Sequence, residues 1–272
     1  MTHVAVVTLV HRRADHLRRQ ARSLALGDRP PDDYVVVAMD DHVSSVPDTA
    51  RVVHVGRAAA GLPLAAARNR GVESALESGA DVVVCLDVDC LAGPTLVGAY
   101  TEAVVQHPLV VWSGPVTYLA PPGPDGYPLT ALASLDEPHP ARPAPVPDTM
   151  MVGAEPDLFW SLSFAVAASA WRTVDGFCED YVGYGGEDTD FARAVVHSGL
   201  DLGWVGAARA YHQWHPVSAP PVEHLHDIVR NAGVFHDRWG TWPMLGWLEE
   251  FERRGLVARD RGRWSVVAGT GR

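Results

Sequence analysis

Three nearly continuous apolar runs in the first third of the chain constrain the fold more than any other feature. They cover residues 4–10, 34–39 and 82–86, and they are rich in valine. Such runs are typical of strands that are buried on both faces of a sheet. Segments with helical spacing separate them. Strands that alternate with helices predict a mostly parallel, Rossmann-like sheet flanked by helices and built from βαβ units.

Acidic residues follow two of these runs directly. Asp40 and Asp41 come after the second run, and Asp87 and Asp89 come after the third. The carboxyl ends of parallel strands meet at one ligand-binding edge, so we expect these acids to lie there together with Thr8. Carboxylates one residue apart repel each other unless a cation lies between them, and oxygen ligands suit Mg²⁺, Mn²⁺ or Ca²⁺. Two solvated acids at a strand end are the alternative at this point.

A second acidic motif, Gly185-Gly186-Glu187-Asp188, precedes a helical segment far along the chain. Acids at the start of a helix are stabilised by its dipole, so helix capping alone could explain them. The glycines, however, allow the backbone to turn tightly and approach a ligand closely, which capping does not require. The motif therefore predicts a functional site.

Two further stretches stand out. Nine prolines fall within residues 120–148, which predicts a long surface loop, either a plain connector or a lid that faces a substrate. Later, His212 and His215 flank Trp214. Two histidines this close together, in a chain with so many acids at predicted strand ends, are candidate metal ligands.

Composition excludes several classes of protein. The 272 residues carry a formal net charge of −11, which argues against binding of nucleic acid through phosphates. No apolar run approaches the roughly 20 residues needed to span a bilayer, although peripheral membrane contact is left open. The odd number of cysteines and the absence of a secretory signal predict free thiols in the cytoplasm.

Taken together, these motifs resemble family 2 glycosyltransferases with the GT-A fold, and the C-terminal half is similar to the galactosyltransferase-type catalytic region. The resemblance covers residues 3–216 and rests on Asp87-Val88-Asp89 followed by the Gly185-Gly186-Glu187-Asp188 motif. It implies an α/β GT-A domain over residues 1–216 and a helical C-terminal extension over 217–272. Within the domain it implies a nucleotide-sugar-binding half (1–115), a proline-rich loop (116–150) and an acceptor and catalytic half (151–216).

The resemblance also implies a role for individual residues on the donor side. Thr8 and Val10 would border the nucleotide, and Asp40 would accept a hydrogen bond from uracil or another base. Arg68 would lie near the diphosphate. Asp87, with Val88 beside it, would bind the ribose side.

The same resemblance implies that Asp89 and His212 hold Mn²⁺ or Mg²⁺, with His215 as the substitute for His212. Asp188 would be the general base of an inverting transfer from a nucleotide-diphosphate sugar, UDP-linked by expectation, to the hydroxyl of a carbohydrate or other acceptor. Glu187 would bind hydroxyls, and Asp190 is the alternative base. A nucleotidyltransferase and a non-catalytic sugar-binding protein on the same fold are the competing interpretations. The former predicts a glycine-rich phosphate loop after the first strand, where this chain has none.

Overall fold

The computed structural model describes residues 1–39, 46–216 and 218–268. The strands are β1 (Val4–Val10), β2 (Asp33–Met39), β3 (Arg51–Val55), β4 (Val82–Leu86), β5 (Cys90–Ala92), β6 (Val110–Ser113), β7 (Val116–Tyr118), β8 (Met150–Val152), β9 (Ser163–Ala167), β10 (Asp201–Val205), β11 (Ala210–His212), β12 (Val257–Asp260) and β13 (Arg263–Val266). The helices are α1 (Ala14–Ala25), α2 (Leu64–Glu77), α3 (Leu96–Gln106), α4 (Ala168–Val174), α5 (Glu187–His197), α6 (Leu225–Trp239) and α7 (Leu245–Arg253).

The central sheet has eight strands in the order β3-β2-β1-β4-β9-β6-β10-β8. The pairs on the β3 side of β4 are parallel, as is the pair of β6 with β10. Strand β9 runs antiparallel to both of its neighbours, and β8 runs antiparallel to β10 at the edge. The predicted mostly parallel α/β sheet is therefore confirmed.

Helices pack closely against the central strands of this sheet. All residues of β1 and β4 are buried, as expected of strands between two layers. Helix α2 packs on β1 and β2. A Cβ atom at Gly71 of α2 would lie 2.5 Å from a methyl carbon of Val7 and 2.7 Å from one of Val37, so glycine lets the helix approach the sheet.

A second sheet of three strands, in the order β5-β11-β7, lies beyond the carboxyl end of β4. Its register places His212 opposite Cys90 in the antiparallel pair of β11 with β5, and opposite Tyr118 in the parallel pair with β7. Because Asp89 immediately precedes Cys90, this small sheet brings Asp89 and His212 together from distant parts of the chain.

Two predicted segments differ from the structure. The proline-rich loop over 116–150 begins with β7, contains a short 3₁₀ helix (Leu129–Leu135) and ends at the first residue of β8. Short edge strands are the positions in a sheet where a proline-rich segment can still pair. The C-terminal extension is not purely helical either, because the hairpin of β12 and β13 follows α6 and α7.

The C-terminal extension has a hydrophobic cluster of its own, formed by α6, α7 and the hairpin around buried Ile228 and Phe251. Hydrogen bonds join it to the rest of the chain. The buried amide of Asn231 donates to the carbonyl oxygens of Val182 (3.1 Å) and Tyr184 (3.2 Å), just before the glycine pair. In the described part of the chain, every helix is too short or too polar to cross a membrane.

Candidate active site

Asp89 lies at the centre of a cluster of basic side chains. The Nε2 atoms of His212 and His215 each lie 3.6 Å from its Oδ2 atom, and Nη1 of Arg13 lies 3.0 Å from the same oxygen. Asp89, His212 and His215 each offer one ligand atom, and these three atoms lie within 4.8 Å of one another. Atoms this close can share one metal ion, given metal–ligand bonds of about 2 Å. The sequence favoured His212 over His215, whereas the structure places both histidines beside Asp89.

The protonation states in this cluster suit metal binding. Burial alone would raise the pKa of Asp89, but the neighbouring His215, His212 and Arg13 lower it to about 2. Burial lowers the pKa of His212, against the attraction of Asp89. The carboxylate is therefore ionised and His212 is neutral at pH 7, the states in which both side chains coordinate a metal.

Two buried glutamines hold the turn that carries Asp87 and Asp89. Gln20 of α1 donates from Nε2 to the carbonyl oxygens of Asp87 (2.6 Å) and Cys90 (2.9 Å). The backbone N–H of Gln213 donates to the carbonyl oxygen of Asp89 at 2.6 Å. Sequence reasoning missed both glutamines, and it also missed Arg13 as a neighbour of Asp89. The position of Arg13 just after β1, at the shared strand edge, was the available signal.

Asp87 faces a different cation, the buried guanidinium of Arg68 on α2. Nη2 of Arg68 lies 3.2 Å from Oδ1 of Asp87, and the guanidinium carbon lies 4.9 Å from the ring centre of Phe177. Burial raises the pKa of Asp87 to about 6, although Arg68 opposes this rise. Nη1 of Arg68 is buried and has no hydrogen-bond partner in the described chain, so one donor remains for a ligand.

The other predicted donor-side residues lie along the same edge. Thr8 and Val10 are buried in the last part of β1, and the Thr8 hydroxyl has no partner among residues 1–39, 46–216 and 218–268. Val88 is buried between the two aspartates, and its carbonyl oxygen accepts a hydrogen bond from Gln213 at 3.4 Å. Asp40 lies outside the described residues.

The second acidic motif does not merely precede a helix, because α5 begins within it at Glu187. Gly185 and Gly186 have φ angles of 96° and 92°, which favour glycine, and they turn the chain into the helix. Burial, then repulsion from Asp188, raises the pKa of Glu187 to about 8, although Arg68 lowers it. Burial also raises the pKa of Asp188, while the N–H of Thr189, which donates to Oδ1 at 2.8 Å, lowers it.

Asp190 does not join this motif, although it lies in the same helical turn. Its Oδ1 accepts hydrogen bonds from the Tyr181 hydroxyl (3.1 Å), Arg238 Nε (2.7 Å) and Trp239 Nε1 (2.7 Å). With Arg238, it lines a separate cavity of about 880 Å³ beside α2 and α4. Asp190 therefore joins α5 to α6, and its geometry does not support the alternative base.

The chain is similar to known glycosyltransferases in sequence and in fold. The family model described as the N-terminal domain of galactosyltransferase matches residues 155–216, a segment that contains Glu187, Asp188, His212 and His215. Two sequence relatives are the validoxylamine A glucosyltransferases of Streptomyces hygroscopicus subsp. limoneus and subsp. jinggangensis (strain 5008). Each is 28% identical over an alignment of 236 positions, and the alignment covers 73% of this chain. The chain spans about half the length of these relatives, 49% and 52% respectively.

Two solved structures share the fold. The crystal structure of GalNAc-T7 with UDP, GalNAc and Mn²⁺ matches with a TM-score of 0.56 at 12% sequence identity. The match covers 93% of this chain and 57% of the GalNAc-T7 chain. The crystal structure of S. aureus TarS 1-349 has a TM-score of 0.53 at 13% identity and covers 85% and 65% respectively. The chain therefore has the GT-A fold, and its predicted resemblance to GT-A glycosyltransferases is confirmed.

Proposed function

We propose that this chain is a metal-dependent, inverting glycosyltransferase of the family 2 type, which moves a sugar from a UDP-sugar to an acceptor hydroxyl. One observation carries the proposal. The small second sheet brings Asp89, His212 and His215 within reach of one ion, beside Asp87 and the buried Arg68. A solvated pair of acids at a strand end does not need two histidines from a distant strand.

The ligand set fits a divalent metal. Asp89 is ionised and His212 is neutral, so neither needs to lose a proton first. Two imidazoles suit a transition metal better than Mg²⁺, which prefers oxygen ligands, and Mn²⁺ accepts both types. GalNAc-T7, which shares the fold, was crystallised with Mn²⁺ and UDP. When bound, the ion would supply Lewis-acid stabilisation of negative charge on the leaving diphosphate.

The side chains of the donor half would bind and orient the nucleotide sugar. Arg68 is held by Asp87 and Phe177, and its Nη1 has no partner in the described chain, so this donor is left for a diphosphate oxygen. The Thr8 hydroxyl is a second unpaired group on this edge. We assign Asp87 and Val88 to the ribose side, Val10 to the nucleotide border and Asp40 to the base, as the family resemblance implies.

In the acceptor half, Asp188 would remove the proton of the attacking hydroxyl. It is half-buried at the start of α5, and its carboxylate is not part of an ion pair within the described residues. The raised pKa makes it a stronger base than an ordinary aspartate. Glu187 would hydrogen-bond to substrate hydroxyls. Because the base is a carboxylate on the acceptor side, direct displacement with inversion is the expected stereochemistry.

The relatives suggest where to begin. Their name, validoxylamine A glucosyltransferase, makes UDP-glucose the first donor to test. The free cysteines, two of them buried, support a cytoplasmic location as part of the proposal. Residues 11–13, which connect β1 to α1, contain no glycine. The nucleotidyltransferase alternative predicts a glycine-rich phosphate loop at this position, so this segment does not support that alternative.

The test is release of UDP from UDP-sugars with Mn²⁺, with Mg²⁺ and with excess chelator. We expect activity with Mn²⁺, less with Mg²⁺ and none with chelator. Asp89→Ala should lower turnover by roughly 10³-fold, because metal stabilisation is worth several kcal/mol. The control is Asp201→Ala, which removes an exposed carboxylate from the first residue of β10. This variant should stay active. Unchanged turnover in chelator would contradict the proposal.

A further inference from the structure

Arg142 lies in the segment between β7 and β8, and its guanidinium is enclosed by two tryptophans. The guanidinium carbon lies 4.8 Å from the ring centre of Trp160 and 4.7 Å from that of Trp204. Only 5% of Arg142 is exposed. Stacking of this kind stabilises the charge through the faces of the guanidinium plane, but it leaves the N–H groups at the edge of that plane without acceptors.

Those N–H groups are unpaired. Nε, Nη1 and Nη2 of Arg142 are all buried, and none has a hydrogen-bond partner among the described residues. The indole N–H of Trp204 and the hydroxyl of Ser113, which face each other across β10 and β6, are unpaired as well. Buried donors, above all charged ones, are normally satisfied. A group of donors that lacks an acceptor is complementary to an oxyanion, which only accepts.

Both tryptophans that enclose Arg142 belong to residues 151–216, the acceptor half. Burial raises the pKa of Asp188 in the same half, and the charge of Arg142 is among the contributions that oppose this rise. The donor-side carboxylates Asp87 and Asp89 instead have their own cations in Arg68 and Arg13.

A row of aromatic rings connects Arg142 with the histidine cluster. Trp160 contacts His139 (5.2 Å between ring centres), His139 contacts Tyr118 (5.2 Å), and Tyr118 stacks on His212 (4.4 Å). Trp160 is half-buried whereas Trp204 is buried, so Trp160 is the more exposed of the two rings that enclose the guanidinium.

From this geometry we propose that Arg142 binds a phosphate or carboxylate group carried by the acceptor. The inference rests on the proposed transferase site and adds the chemical class of its second substrate. Trp160 and Trp204 hold the guanidinium plane in place, so that its edge can form two parallel hydrogen bonds with the two oxygens of one anion. An acceptor of this kind carries its reactive hydroxyl and its negative charge on the same molecule.

The first test measures the unfolding temperature of the metal-free protein, kept in chelator, as the concentration of inorganic phosphate or of acetate is raised at constant ionic strength. We expect at least one anion to stabilise the wild type, because a ligand of the folded state raises stability. Arg142→Met should weaken this binding by about 10- to 100-fold, the usual worth of hydrogen bonds to a charged group. Arg142→Lys, which keeps the charge but not the planar edge, should weaken it less, and it replaces Arg142→Met if that variant does not fold.

Arg193→Met is the matched control. Arg193 also stacks on a ring, at 4.8 Å from that of Phe235, but its guanidinium already donates to Thr241 and Asp157. This variant should keep the anion response. If neither anion stabilises the wild type, or if Arg142→Met and Arg142→Lys respond as the wild type does, the proposal is wrong and Arg142 is a stacking contact only.

The second test identifies the source of the anion by titration of UDP in the presence of Mn²⁺. We expect wild type and Arg142→Met to bind UDP equally. An equal loss of UDP and phosphate affinity would assign Arg142 to the donor diphosphate and overturn the acceptor assignment. Both tests measure binding without turnover, so they can fail while the transferase proposal stands, and a chain without transferase activity can still bind an anion at Arg142.

Discussion

The two acidic regions of the candidate active site differ in what surrounds their carboxylates. At the end of β4, Asp87 and Asp89 are each in direct contact with a cation, Arg68 at 3.2 Å and Arg13 at 3.0 Å. At the start of α5, by contrast, Glu187 leaves Oε2 buried without a partner in the described chain. The pKa of Asp89 is lowered to about 2, whereas burial raises that of Asp87 to about 6 despite Arg68 and that of Glu187 to about 8.

This difference separates two kinds of chemistry within one candidate site. A carboxylate that stays ionised beside neutral imidazole can hold a metal, while carboxyl groups with raised pKa values can exchange protons near pH 7. The strand end would therefore manage the charge of the leaving group, and the helix start would manage the proton of the acceptor. Substitutions at the helix start test this division.

The largest effect is expected at Asp188. Asp188→Asn keeps the size of the side chain but removes the base, so the rate of transfer should fall by about 10²- to 10⁴-fold. Binding of UDP with Mn²⁺ should not change, because the metal and nucleotide contacts lie at the end of β4. Steady-state kinetics and UDP titration of the same preparation separate the two effects. Normal turnover in this variant would place the base elsewhere.

Asp190 provides the contrast within the same helical turn. Because its Oδ1 accepts three hydrogen bonds from α6 and Tyr181, Asp190→Asn should lower the free energy of unfolding by about 2 kcal/mol. Urea unfolding measures this, with Asp237→Asn, an exposed partner of Arg263, as a control that should change little. Turnover at a temperature where the variant is folded should be unchanged. A large loss of turnover without a loss of stability would reassign Asp190 to the chemistry.

A third prediction concerns the dependence of stability on pH. Because the pKa of Glu187 is raised from 4.5 to about 8 on folding, its protonated form contributes stability that is present below about pH 4.5 and is lost as the pH rises through about 8. Glu187→Gln removes this titration. Its unfolding free energy should therefore fall less than that of the wild type between about pH 5 and about pH 8. Parallel pH profiles of the two proteins would contradict the raised pKa.

Much of the fold could be predicted from the sequence, because valine-rich runs and helical spacing are local signals. The runs that became β1 and β4 were identified with the same bounds as in the structure, and so were the two aspartates that follow β4. The edges of the proline-rich segment were missed, because three-residue strands such as β7 and β8 are fixed by their partners rather than by their own pattern.

The site could be predicted only in part, for a related reason. Asp89 and His212 were identified through a family resemblance, but the equal distance of His215 depends on how β11 pairs with β5. Gln20 and Arg142 carry no local signal at all. Gln20 matters because of carbonyl oxygens 67 and 70 residues away along the chain, and Arg142 because two tryptophans enclose it.

The most direct test of the metal-dependent donor site is a crystal structure of the protein soaked with Mn²⁺ and UDP, measured for anomalous scattering from manganese. We predict a single strong anomalous peak within about 2 to 2.5 Å of the Asp89 carboxylate and of at least one imidazole of His212 and His215, next to the UDP diphosphate. Bound UDP with no manganese peak at these side chains, or with a peak elsewhere, would contradict the account.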